Sequence, residues 1–143
     1  MSAHEYENAL AYAHVLVVIP DNVLRDGIVL ELRSCSALVA ATATLEDAER
    51  HAAILAPEAV VADADAAADD AAPWISRVRA RMEPQRHLPF VALTRDAGRT
   101  RGEELAAAGF DIVLGVSGDV RALCRVVRSP RCSAARWPSA RLS

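Results

Sequence analysis

Five short apolar runs, each followed by a segment of helical periodicity, constrain what this chain can fold into more than any other feature. The runs cover residues 15–19 ("VLVVI"), 37–42 ("ALVAAT"), 59–62 ("AVVA", closed by Asp63), 88–94 ("LPFVALT") and 110–116 ("FDIVLGV"). A strand that is apolar on both faces is a buried one, and buried strands belong to parallel sheets covered by helices. The intervening segments supply those helices. Residues 25–33 place Ile28, Val29 and Leu32 on one face, and residues 44–56 place Leu45, Ala48, Ala52 and Leu55 on a stripe. Thr44, three residues before Asp47, reads as a helix cap.

Residues 66–82 predict a third helix, capped by Asp69 or Asp70, with Pro73 in its first turn and Trp74, Val78 and Met82 on one face. Residues 100–108 predict a fourth, with a capping box of Thr100 and Glu103 and a stop at Gly109. Residues 118–128 predict a fifth, with Val120, Leu123, Cys124 and Val127 facing inward. Crossovers of this length give a doubly wound α/β fold, a five-stranded parallel sheet with five helices on its two faces. Chemistry in such folds sits beyond the carboxyl ends of the strands, where Asp21, Asp63 and Thr94 fall.

The 143 residues fit one domain. We divide them into an N-terminal extension (1–13), a core (14–129) and a polar, proline-broken tail (130–143). Hydrophobic residues make up 52%, much of it alanine, and aromatics only 4%, which leaves no stacking platform for single-stranded nucleic acid. A net charge of −3 argues against direct nucleic-acid binding despite the arginines near the C-terminus, and the tail is too short for a helix-turn-helix. Three cysteines (Cys35, Cys124, Cys132) form no metal-type pair and read as inert thiols of a reducing cytoplasm. No stretch has the length of a membrane span, and the acidic N-terminus does not resemble a signal peptide, so a cytoplasmic location is expected. The four histidines lack metal-ligand spacing, and no phosphate-binding glycine loop or nucleophile elbow is present.

Several segments together resemble the receiver domain of bacterial response regulators across residues 15–128. "PEAVVAD" ending at Asp63 resembles the strand that ends in the phospho-accepting aspartate. "PFVALT" ending at Thr94 resembles the strand whose terminal hydroxyl contacts the phosphoryl group, and "AAGFDIVLGV" resembles the approach to strand five. Arg25 and the apolar helix after it match the family's first helix. The resemblance implies a flavodoxin-like sheet of order 2-1-3-4-5. It also implies that Asp63 occupies the phosphoacceptor position and Thr94 that of the switch hydroxyl.

Two departures bear on chemistry. Receivers hold Mg²⁺ with an acidic pair at the end of strand one, where this chain has Ile19 and Pro20, or Pro20 and Asp21 after a slip of one. Mg²⁺ wants carboxylate oxygens, so Asp21 and Asp63 are the residues left to hold it, and the site is expected to be severely weakened. The family's phosphoryl-pairing lysine falls at Val116. Asp65 reads as a solvated loop acid, or as a substitute metal ligand in a residual acidic pocket with Asp21; Asp21 reads equally as a turn residue.

The resemblance therefore implies a stand-alone, atypical receiver that signals by protein–protein contact, is not an enzyme and needs no cofactor. Its expected interaction face joins helix four, strand five and helix five (100–108, 111–116 and 119–128), carries Arg101, Glu104, Asp111, Arg121 and Arg125, and would support a homodimer or a partner signalling protein. Two alternatives stand beside it. One is a genuine phosphoacceptor charged on Asp63 by a sensor kinase. The other is a small-ligand module using an apolar rim of Ile19, Pro20 and Val116.

Overall fold

In a computed structural model, which describes residues 13–82, 87–118 and 120–127, the apolar runs become five parallel strands. They are β1 (His14–Val18), β2 (Leu38–Thr42), β3 (Ala59–Asp63), β4 (Phe90–Thr94) and β5 (Ile112–Gly115), in the order β2-β1-β3-β4-β5. The connecting helices are α1 (Asn22–Arg33), α2 (Leu45–Leu55), α3 (Ala71–Met82), α4 (Arg99–Ala108) and α5 (Leu123–Val127). The expected doubly wound fold and strand order are both present.

Period-two alternation sorts the core into two layers. Val15, Val17, Val61, Val91, Leu93, Ile112 and Leu114 face α1 and α5, against Ile28, Leu32 and Leu123. Leu16, Val18, Val60, Ala62, Phe90, Ala92 and Val113 face α2, α3 and α4. In the second layer, alanines at 48 and 52 let α2 approach the sheet closely, and Trp74 fills the larger space. Trp74 is fully buried, meets Phe90 edge to face at 5.6 Å, and donates its indole N–H to the Leu45 carbonyl. The edge strand β2 is less covered: Leu38 is 44% exposed, which matches its weaker apolar run.

Several boundaries differ from expectation for identifiable reasons. β4 begins after Pro89, which has no N–H to pair. The third helix does not run from 66. A helical turn (Ala64–Ala67) and a 3₁₀ turn (Ala68–Asp70) precede α3, with Ala68 at φ 47°, ψ −126° interrupting the helix. The fourth helix starts one residue early, capped by Gly98, so the capping box of Thr100 and Glu103 does not form. Thr44 does cap α2, accepting from the Asp47 amide, and Gly109 ends α4 at φ 118° as expected. At α5 a 3₁₀ turn (Val120–Ala122) replaces the first part of the expected helix. Asp119, Arg128, the tail and residues 1–12 lie outside the described residues.

The reading of inert thiols is corrected. Cys35, just past α1, and Cys124, in α5, are joined by a disulfide with S–S 2.11 Å and Cα–Cα 6.4 Å. They meet because α1 and α5 pack side by side on one face of the sheet, which sequence spacing does not reveal. Among the described residues no helix is long and apolar enough to cross a membrane.

Candidate functional site

Parallel register brings the carboxyl ends of β1, β3 and β4 to one edge of the sheet. Val18 aligns with Ala62, and Asp63 with Leu93, so Asp63 and Thr94 end adjacent strands. Asp63 leaves the sheet half-buried. Its Oδ1 accepts from the amides of Asp65 and Ala66, both at 3.0 Å, so the carboxylate caps the helical turn Ala64–Ala67. Beside it lies a cavity of about 240 Å³, lined by Pro20, Thr44, Leu45, Ala66, Ala67 and Asp70 among others.

Thr94 is fully buried, and its hydroxyl donates to Asp65 Oδ1 at 2.7 Å. The Arg95 amide donates to Asp65 Oδ2 at 2.8 Å, and the Arg101 guanidinium reaches Asp65 Oδ1 at 3.3 Å. Asp65 is thus no solvated loop acid. Both its oxygens are held, by groups from the end of β4 and from α4. Burial pushes the Asp65 carboxyl up, but the bonds from Arg95, Thr94 and Arg101, with the Arg101 charge, outweigh burial and hold it below the usual carboxylate range.

At the end of β1 the residual acid is engaged locally. Asp21 is the N-cap of α1, its Oδ2 accepting from the Leu24 amide at 2.7 Å. Arg25, one turn on, folds back so that its guanidinium donates to the carbonyls of Ile19 (2.8 Å) and Pro20 (3.2 Å). A fixed cation therefore sits on the tip of β1. This role of Arg25 depends on the turn at Pro20, which brings the Ile19 and Pro20 carbonyls, six and five residues back, within reach of the guanidinium.

The other expected residues separate. Val116 continues the β5 pairing through its amide and packs partly buried against the α1 side of the core. Ile19 is fully buried, so of the expected apolar rim of Ile19, Pro20 and Val116 it is Pro20 that lines the cavity beside Asp63. A larger cavity, about 500 Å³, lies instead at the opposite end of β1 and β2, near His14, Arg33, Leu38 and His51.

On the expected interaction face, Arg101 also reaches Glu104, and Arg121 and Arg125 are exposed. Asp111 does not present a free charge there. Its carboxylate accepts from Arg79, from His87 and from the Phe90 amide, and its side chain is 17% exposed. This network ties α3 to the start of β4 and β5, at the end of the sheet away from Asp63.

Comparison with solved structures supplies the class. The receiver domain of the histidine kinase CKI1 of Arabidopsis thaliana, solved with Mg²⁺ and BeF₃⁻, superposes with a TM-score of 0.71 at 18% identity, over 89% of this chain and 95% of that one. A putative pilus assembly-related protein of Burkholderia pseudomallei gives 0.70 at 18% identity, over 91% and 96%. The chemotaxis response regulator CheY4 of Vibrio cholerae gives 0.68 at 18% identity, over 81% and 99%. The chain therefore has the flavodoxin-like fold of receiver domains. No protein-family model matches the sequence, and no curated protein is significantly similar to it.

Proposed function

We propose that this chain is an atypical receiver-type module that acts in signal transduction through protein–protein contact, without Mg²⁺-dependent phosphorylation of Asp63. The observation that carries this reading is the tip of β1, where Ile19 and Pro20 stand in place of an acidic pair and their carbonyls are taken by Arg25. Phosphoryl transfer to a carboxylate needs a divalent cation to neutralise the incoming oxygens. At the tip of β1, where receivers place acidic ligands, this chain has a guanidinium, and the carboxylate that follows the strand, Asp21, is engaged as a helix cap. Bringing Mg²⁺ there sets two cations against each other with little anionic charge between them. The donor set does not suit the ion. Val116 offers no ammonium to a phosphoryl group, and Asp63 already accepts two amides.

The partner face in this reading is α4 with the segment from Val120 to Val127, where Arg101, Glu104, Arg121 and Arg125 give mixed charge. Mixed charge suits either a second copy of the chain or a signalling protein of complementary pattern.

The accessible cavity beside Asp63 supports a second reading, a phosphoacceptor charged by a kinase. The CKI1 receiver was solved with Mg²⁺ and BeF₃⁻, so the same probes separate the two. Titration of the full chain with MgCl₂ and beryllofluoride, followed by native mass spectrometry, is expected to give no adduct. A stoichiometric adduct that is absent in Asp63→Asn establishes the second reading and removes the first.

A further inference from the structure

Three donors from two elements converge on one carboxylate beside the acceptor position. The Thr94 hydroxyl lies 2.7 Å from Asp65 Oδ1, the Arg95 amide 2.8 Å from Oδ2, and the Arg101 guanidinium 3.3 Å from Oδ1. A buried hydroxyl, a backbone amide and a guanidinium together are the donor set that proteins use to hold an oxyanion such as phosphate. We infer that Thr94, Arg95 and Arg101 form an oxyanion-binding site whose resident anion is the chain's own Asp65. Asp65 thereby holds the site in one fixed, anion-filled state. This inference rests on the reading that Asp63 is not the group that fills it.

Two physical consequences follow from the geometry. A carboxylate attached two residues beyond Asp63 has no dissociation step, so its effective concentration at the donors is far above that of any free anion. An external oxyanion would also have to displace a charge that three donors already satisfy. The filled site further fastens the third residue of α4, Arg101, to the turn after β3. It thus sets the position of the helix on which Arg101 and Glu104 are displayed. In this arrangement α4 answers to Asp65 and not to an event at Asp63.

The test uses the full chain and two readouts. In Asp65→Ala the emptied donors are expected to bind inorganic phosphate at millimolar concentration, seen as a phosphate-dependent rise in Tm that wild type does not show. In Asp65→Asn and Arg101→Gln, amide hydrogen exchange over residues 95–105 is expected to rise about tenfold, while β1 and α1 exchange as in wild type. Unchanged exchange in both conservative variants, or equal phosphate response in wild type and Asp65→Ala, overturns the inference. If Asp65→Ala fails to fold, the two conservative variants alone decide. A beryllofluoride adduct on Asp63 is a separate outcome, one that removes the functional reading without bearing on exchange at 95–105.

Discussion

Thr94 and Asp65 are 29 residues apart in sequence, yet the buried hydroxyl of one lies 2.7 Å from a carboxylate oxygen of the other. The bond joins the end of β4 to the helical turn after β3, at the carboxyl edge of the sheet. It engages the hydroxyl expected to meet a phosphoryl group and gives a definite charge to the turn after β3.

That charge makes stability pH-dependent. The folded-state pKa of Asp65 is lowered, so the native protein releases this proton more readily than the unfolded chain. The contribution is fully present above the ordinary carboxylate range. It is lost as pH falls from that range through the lowered folded value. Asp65→Asn is expected to flatten this part of the acid limb and to cost about 1–2 kcal/mol at neutral pH, measured by urea unfolding at a series of pH values. An unchanged acid limb in the variant would place the dependence elsewhere.

Backbone conformation offers two stabilising substitutions. Ala56 ends α2 in the left-handed region (φ 47°, ψ 65°), and Ala68 lies at φ 47°, ψ −126°, where a Cβ is strained. Ala56→Gly and Ala68→Gly are each expected to raise stability by about 0.5–1 kcal/mol, the relief of strain exceeding glycine's added entropy in the unfolded chain. Chemical denaturation of the single variants checks this.

At the other end of the sheet, Asp111 gathers Arg79, His87 and the Phe90 amide. Removing Asp111 takes away the carboxylate that pairs with Arg79, whose guanidinium is left with the neutral Gly109 and Leu88 carbonyls among the described residues. Asp111→Ala is expected to destabilise the fold by about 2–4 kcal/mol and to leave the Asp63 edge unchanged, as read from amide spectra. A loss below about 0.5 kcal/mol would show the network to be solvated.

The disulfide between Cys35 and Cys124 links residues 89 positions apart. In the chain-entropy view a bond across that separation restricts the unfolded state by about 4–5 kcal/mol, and measured effects are commonly about 2–4 kcal/mol. Dithiothreitol is therefore expected to lower the Tm of wild type. The double variant Cys35→Ser/Cys124→Ser is expected to show one Tm regardless of reductant, equal to that of reduced wild type.

The parts of the fold legible in the sequence are those set by local pattern. Buried parallel strands announce themselves as continuous apolar runs, which is why the runs in the sequence match β1, β3, β4 and β5 to within a residue or two. Thr44 and Gly109 are legible as caps because capping is chemistry within a few residues. Thr100 misled because Gly98, with its amide held by the Asp96 carboxylate, begins the helix earlier. Asp63 and Thr94 were legible as strand ends. The partners of Asp65 lie 29, 30 and 36 positions away, and no local spacing encodes contacts that depend on how α4 packs. The register of Arg25 is legible, but its grip on the Ile19 and Pro20 carbonyls depends on how tightly the chain turns at Pro20.

The Cys35–Cys124 bond has a topological effect as well. It closes a covalent ring that contains β2, β3, β4 and β5, while β1 lies outside that ring in sequence yet sits between β2 and β3 in the sheet. A single proteolytic nick anywhere between the two cysteines, for example near Asp96 and Gly98, opens the ring without dividing the molecule. The nicked protein would migrate as one species until a reductant released its two pieces, and while the disulfide holds, every strand stays within the one covalently joined molecule.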